Sequence, residues 1–405
     1  MKTPIYRVLS LSGLIASAAW AAQPVPTESG LDARRLKEIP RQLQRFVEDG
    51  TIAGAVTLVA RHDRVASLEA VGQADLAANQ PMRPDHLFWI ASMTKPITAT
   101  AVLMLRDEGK LSLEDPVEKH VPEFKNPWLI ESKSSDTLTV RRAPRPITLR
   151  DLLTHTSGLG DVPAPRPDCS LAELVMAYAQ QPLQFPPGSQ WQYSNAGINT
   201  LGRIVEVVSG QPYAGFLERR IFRPLGMEDT TFWPSQKQLK RVAKSYQPRA
   251  NGGGLEEVSV YFIQGNLSDR RRTAFPAGGL FSTAPDLVRF YRMILNGGTW
   301  KGQRMVSADS VSLMTRTQTG DLKTGFTDGM SFGFGWAVVK EPTGVTGMLS
   351  AGTFGHGGAY GTQGWIDPKR DLILILMIQR AKLPNADASD VRRAFQAAAV
   401  AAVIH

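Results

Sequence analysis

Apolar and polar positions alternate over Ala53 to Arg61 and again over Ala66 to Gly72, with His62-Asp63-Arg64 between the two runs. A period of two with β-branched residues is that of a half-buried strand, so the pair predicts a hairpin. Leu31 to Glu48 is amphipathic and charged and predicts a helix ahead of it. Lys95 to Glu108 predicts another, and Pro96 is tolerated there because it falls in the first turn. From Asp115 to Lys240 the pattern changes. Short helical stretches at Leu149 to Leu153, Leu171 to Gln180, Ala196 to Ser209 and Pro212 to Phe222 are broken by Pro and Gly. Pro144 and Pro146 punctuate a polar loop from Glu131 to Arg145. Short apolar strands return at Gly333 to Val339, Thr362 to Ile366 and Leu372 to Ile378, and Asp387 to Ile404 closes the chain as a helix.

Strands at both ends with helices between them predict an α/β chain of the α+β type. The ends pair into one antiparallel sheet flanked by the N- and C-terminal helices, and the middle forms an inserted, mostly helical domain. The expected division is 22–110 with 275–405 for the sheet domain and 111–274 for the helical one.

Composition narrows the class. With 405 residues, 42% hydrophobic and 20% charged, the chain can bury a sizeable core. Residues 1–21 read as a secretory signal: Lys2 and Arg7 open it, Val8 to Ala18 is apolar but too short to span a bilayer, and Ala19-Trp20-Ala21 fits a cleavage site. The expectation is a secreted or periplasmic protein without stable membrane insertion. Removing Lys2 and Arg7 lowers the net charge from +9 to +7. The basic clusters, such as Arg141-Arg142 and Arg270 to Arg272, do not alternate with aromatics, and no nucleic-acid-binding motif accompanies them. They read as solvated surface, and no nucleic-acid partner is expected. The single Cys169 cannot form an internal disulfide, so packing alone holds the fold. The sequence is silent on oligomeric state.

Candidate chemistry centres on Ser92 and Lys95, where an apolar run enters a helix. A helix N-terminus favours negative charge, and the backbone N–H of Ser92 can contribute to an oxyanion hole there. Three residues on, Lys95 shares that helical face. If the face is buried, desolvation lowers the lysine pKa and lets it accept the serine proton. Two later stretches supply what such a mechanism needs. In Gln192 to Gly197, Tyr193 can shuttle protons beside a lysine, and Asn195 can hydrogen-bond a bound carbonyl. In Phe354 to Gly361, Gly357 and Gly358 allow a ligand close to the backbone, and an N–H of this edge can complete the oxyanion hole.

Ser92-x-x-Lys95, Tyr193-x-Asn195 and His356-Gly357-Gly358, in this order, resemble the three motifs of the serine β-lactamase and penicillin-binding superfamily. The branch most similar is that of class C β-lactamase-like proteins, with family VIII carboxylesterases and D-amino-acid peptidases. Leu152 to Leu159 and Gly278 to Ala284 look like further stretches of it. The resemblance implies a sheet-plus-helical fold with the site at the junction, and an acyl-enzyme route. Ser92 attacks a carbonyl, Lys95 and Tyr193 relay the proton, and the N–H groups of Ser92 and Ala359 stabilise the oxyanion. No metal or organic cofactor is needed. β-Lactamases of this fold carry a lysine where this chain has His356. A histidine near neutral pH is a weaker, switchable cation. That departure argues against efficient β-lactam hydrolysis and for small neutral esters.

Three other matches read as structural. Lys323-Thr324-Gly325 spells the third β-lactamase motif but has no strand directly after it. Gly329-x-Ser331-x-Gly333 lacks the strand before and the helix after that an α/β-hydrolase elbow requires. His155 and Ser157 read as a turn locked by side-chain hydrogen bonds rather than a dyad. The expected function is an exported serine hydrolase acting on small acyl esters. A β-lactamase or D-amino-acid peptidase is the rival in the same family, and a non-catalytic binder of cell-wall peptides the rival outside it.

Overall fold

The computed structural model describes residues 29–260, 263 and 265–404. The expected signal sequence lies outside the described residues. After a short helical turn, Ala33–Leu36, the chain forms α1 (Glu38–Glu48), then the hairpin β1 (Gly54–Arg61) and β2 (Arg64–Asp75) with the short β3 (Gln80–Pro81). Helix α2 (Thr94–Asp107) follows, then the middle segment, in which α3 (Asn195–Ser209) is the longest helix. Helix α4 (Ala284–Leu295) leads to β4 (Met330–Phe332), β5 (Ala337–Val339), β6 (Phe354–Gly357), β7 (Gln363–Asp367), β8 (Leu372–Met377) and α5 (Asp390–Ala401).

These eight strands form one antiparallel sheet in the order β4-β5-β6-β7-β8-β1-β2-β3. The two ends of the chain meet at its centre, where β1 pairs with β8 from Val56↔Met377 to Arg61↔Leu372. Successive side chains of a strand point to opposite faces. Leu372, Leu374 and Leu376 accordingly pack with Ile39, Leu43, Phe395 and Ala399 of α1 and α5. Ile373, Ile375 and Met377 face α2 and α4, against Ile97, Leu287, Phe290 and Ile294. That second layer runs on into Leu152, Leu174 and Leu201, so the sheet and the middle segment share a continuous core. Among the described residues no helix is long and apolar enough to cross a membrane.

Three local expectations change. The N-terminal helix breaks at Lys37, which caps the short turn and precedes α1. Residues expected as a polar loop form a hairpin, Trp128–Lys133 with Leu138–Arg142. Most of its side chains face solvent, apolar Trp128 and Leu138 among them. Of the stretch expected as one strand at Gly333 to Val339, only Ala337–Val339 is strand, as β5, and residues 333–336 are the turn that joins it to β4. There Phe334 N donates to Met314 O and Gly335 N to Leu153 O.

That turn sets where α2 lies. Gly335 has φ +73, and a Cβ there would stand 2.6 Å from Ala99 Cβ and 3.2 Å from Lys95 O. Gly302 has a similar φ, +79, with open space around it. Gly335→Ala therefore carries both strain and a clash and is expected to cost about 3 kcal/mol or more, against about 1 kcal/mol for Gly302→Ala. Urea unfolding of the two variants measures the difference.

Candidate active site

The site forms where α2, the start of α3, the Ala277 to Ser282 stretch and the end of β6 converge. Phe88–Trp89 pairs with Phe281–Ser282, Ile90 N donates to Leu280 O, and Trp89 Nε1 donates to Gly278 O at 2.6 Å. These bonds hold the turn Ala91–Met93 that carries Ser92 into α2. Ala91 adopts φ +46, a left-handed conformation that costs a non-glycine residue strain and that occurs at functional sites.

Lys95, one helical turn on, is wholly enclosed, with 0% of its surface exposed. Its Nζ donates to Ser92 Oγ at 3.0 Å, to Asn195 Oδ1 at 2.9 Å and to Ala277 O at 2.7 Å. Burial pushes its pKa down from 10.5 to about 7, and the negative charge of Asp161 opposes that shift. Near neutral pH the amine and the ammonium are thus both populated, as a group that takes up and returns a proton requires.

Tyr193 lies over the same ammonium, with Lys95 Nζ 4.6 Å from its ring centroid. His155 fixes Tyr193 from three directions. The His155 ring packs on the tyrosine ring at 4.6 Å between centroids. Its carbonyl accepts from Gln192 N, and its Nδ1 accepts from Ser194 N at 3.2 Å. Burial and the nearby Lys95 charge hold His155 well below the usual histidine pKa, so it is neutral. Its backbone φ of +61 turns the chain so that the ring points inward. Phe326 closes the outer side, edge-on to Tyr193 at 5.0 Å, and Trp191 packs on both Phe326 and Phe332.

Both polar atoms of the Asn195 side chain are engaged within the site. Its Oδ1 accepts from Lys95, while its Nδ2 donates to Asp161 Oδ2 at 2.8 Å. Asp161 Oδ1 also accepts from Ala196 N at 2.7 Å, at the start of α3.

His356 departs from expectation. It is buried in β6, opposite Gly364, with 3% of its surface exposed. Burial first, and then the Lys95 charge, push its pKa down to about 4. Its Nδ1 donates to its neighbour's carbonyl, Gly357 O, at 2.7 Å, which leaves Nε2 as a bare acceptor. The ring is a neutral member of the aromatic wall, 6.0 Å from Tyr193, not a cation that switches near neutral pH.

The two glycines after it meet steric limits. A Cβ on Gly357 would lie 2.0 Å from Asp387 Oδ1. One on Gly358 would lie 2.1 Å from Thr362 Oγ1 and 2.8 Å from Ile90 O. The end of β6 is therefore pressed against the residues leading into Ser92, and Ala359 is the next residue, exposed in the turn closed by Gly361 N to Gly358 O. Beside Asn195 and Ala277 opens a cleft of about 670 Å3, walled by Asp161, Pro163, Pro165, Tyr178 and Phe275. That is the size range of a small-molecule site.

The structure thus brings together Ser92, Lys95, Tyr193 and Asn195, and sets the His356 to Ala359 edge beside them. Sequence reasoning missed His155, Asp161, Trp191, Phe326 and Ala277. His155 lies in the Leu152 to Leu159 stretch, where the turn is as expected but the ring's role is not. Ser157 Oγ only accepts from Leu159 N. Ser331 is buried in β4 and shares a hydrogen bond with Thr319 Oγ1, a structural role as expected. Cys169 is a buried free thiol near Thr273.

A lysine buried with a lowered pKa carries a stability cost at low pH. Between about pH 7 and 10.5 the unfolded chain holds the Lys95 proton and the folded chain does not, so folding stability rises with pH across that window. Lys95→Met removes this dependence. The variant is expected to be more stable than the wild type below pH 7 by on the order of a few kcal/mol. The gap should narrow as the pH approaches 10, as read by denaturant unfolding at pH 6, 8 and 10.

Comparison with known proteins identifies the family. The chain is 32% identical to esterase EstB of Burkholderia gladioli over 392 residues, covering 89% of this chain and 95% of that one. It is 35% identical to penicillin-binding protein 4 of Amycolatopsis lactamdurans over 283 residues, 69% of this chain and 68% of the relative. Among solved structures, EstCE1, described as a hydrolase with promiscuous acyltransferase activity, superposes with a TM-score of 0.75 at 25% identity, over 93% of this chain and 99% of its own. The Beta-lactamase family profile matches residues 39–399. The chain belongs to the Beta-lactamase family and is a serine hydrolase of the β-lactamase fold.

Proposed function

We propose that the protein is an exported carboxylesterase that forms an acyl-enzyme through Ser92 and releases small acyl groups from neutral esters. The observation that carries this reading is the enclosed Lys95, with its pKa near 7 and its Nζ 3.0 Å from Ser92 Oγ. In this scheme neutral Lys95 takes the Ser92 proton as Oγ attacks the ester carbonyl. The charge that develops on the carbonyl oxygen falls to the N–H groups of Ser92 and Ala359. Tyr193, over the Lys95 ammonium, passes the proton to the departing alkoxide and later draws one from water to release the acid. Gly357 and Gly358 let this edge press against Asp387, Thr362 and Ile90, next to the residues that lead into Ser92. The role left to His356 is to pack against Tyr193.

The preference for neutral esters follows from charge. With His356 neutral, the edge where a substrate carboxylate would dock offers no ionised imidazole. The cleft beside Asn195 combines proline, alanine and aromatic side chains with one acidic and one basic residue, Asp161 and Arg166, whose charges offset one another. Relatives named esterase support the same class. β-Lactamase or D-amino-acid peptidase activity is the second reading, supported by the likeness to a penicillin-binding protein. Export rests on the signal-like residues 1–21.

The test is steady-state hydrolysis of p-nitrophenyl acetate and of a chromogenic cephalosporin by the mature protein. Ester turnover is expected to exceed cephalosporin turnover, with kcat/KM rising with pH through about 7 as Lys95 loses its proton. Ser92→Ala and Lys95→Ala should each lower it by about 1,000-fold or more. Faster cephalosporin hydrolysis would move the assignment to β-lactamases. Ester turnover that survives Ser92→Ala would overturn the mechanism.

A further inference from the structure

Asp161 lies in a proline-rich loop, Asp161 to Pro167, far in sequence from the motif residues. Its side chain reaches the site through two hydrogen bonds in series. Asp161 Oδ2 accepts from Asn195 Nδ2 at 2.8 Å, and Asn195 Oδ1 accepts from Lys95 Nζ at 2.9 Å. Its other oxygen accepts from Ala196 N at 2.7 Å, so both oxygens are held although the residue borders the open cleft.

The direction of these bonds matters. An ionised carboxylate only accepts, so the Asn195 NH2 group must face Asp161 and its carbonyl oxygen must face Lys95. The inverted amide would set N–H against N–H at Lys95 and oxygen against oxygen at Asp161. Asp161 thereby selects the one rotamer of Asn195 in which the Lys95 nitrogen gains a third acceptor, besides Ser92 Oγ and Ala277 O.

We propose that Asp161 is a positioning residue for the acylation step, which locks the Asn195 carboxamide and through it fixes Lys95 Nζ against Ser92 Oγ. The proposal rests on the assignment of Ser92 and Lys95 made above. Five groups near Lys95 bear on its proton. Tyr193 covers it, Ser92 receives its hydrogen bond, and His155 and His356 are both held neutral by burial. Asp161 is the one negative charge among these five, and it favours the ammonium. When the amine accepts the Ser92 proton, the new ammonium donates to Asn195 Oδ1, and the carboxylate beyond stabilises the positive charge through that amide.

The experiment compares wild type, Asp161→Asn and Asp161→Glu in the mature chain. It has two readouts, the pH dependence of kcat/KM for p-nitrophenyl acetate and the titration of Lys95 Nζ by 15N-lysine NMR, assigned with Lys95→Arg. In Asp161→Asn the acidic limb and the Lys95 titration should both move down by about 1 pH unit. Its kcat should fall about tenfold with KM little changed. Asp161→Glu keeps the charge and should keep the Lys95 titration near its wild-type position. If Asp161→Asn lowers only the melting temperature and leaves both titrations in place, Asp161 merely caps α3 and the proposal fails. If wild type turns over no ester, the esterase reading fails, while the NMR titration still decides for or against Asp161.

Discussion

The enclosure of one ammonium group organises this molecule. Lys95 Nζ bonds to Ser92 in the turn that leads into its own helix, to Asn195 from the middle segment and to Ala277 from the return to the sheet domain. Three parts of the chain therefore converge on one nitrogen, the last of them, Ala277, 182 residues beyond Lys95. Desolvating a lysine is costly, and the cost is accepted here only because three acceptors surround it. A lysine on the surface, near its ordinary pKa, would be a poor base at neutral pH. The fold's main achievement is to make it a usable one, and α2, α3 and the Gly278 to Ser282 stretch hold that geometry.

Around the ammonium the protein builds a wall that is aromatic and uncharged. His155, Trp191, Phe326 and His356 enclose Tyr193, Phe332 packs behind three of them, and both histidines are kept neutral by their burial and by Lys95. The two effects reinforce one another. A cation beside Lys95 would lower the lysine pKa further by repulsion, whereas neutral rings exclude water without adding charge. The consequence for binding is that this side of the site offers shape and apolar surface rather than an ion pair.

Much of this was legible in the sequence, and the boundary is physical. Ser92 and Lys95 are three residues apart where the chain enters a helix, so spacing alone predicts that they share a face, and the turn Ala91–Met93 preserves that arrangement. The alternating strands at one end and the short apolar ones at the other predicted a sheet in which the two ends meet, and β1 pairs with β8. The hairpin at Trp128–Lys133 and Leu138–Arg142 escaped because it lies on the surface, with even Trp128 and Leu138 exposed, and most of it falls in a Ser- and Arg-rich stretch. His356 was identifiable as a residue, but its charge state depends on how deeply β6 is buried, which the residue itself does not record. Asp161 was invisible for a related reason. An aspartate in a proline-rich loop ordinarily faces water, and its partner Asn195 lies 34 residues further on.

The central claim is that Ser92 becomes covalently acylated. The most direct measurement is peptide mapping by mass spectrometry after brief exposure of the mature protein to a fluorophosphonate. The account predicts a single adduct on the peptide that contains Ser92, formed faster as the pH rises through about 7 and lost in Lys95→Ala. An adduct on Ser331, or ester turnover by a protein that forms none at Ser92, would contradict it.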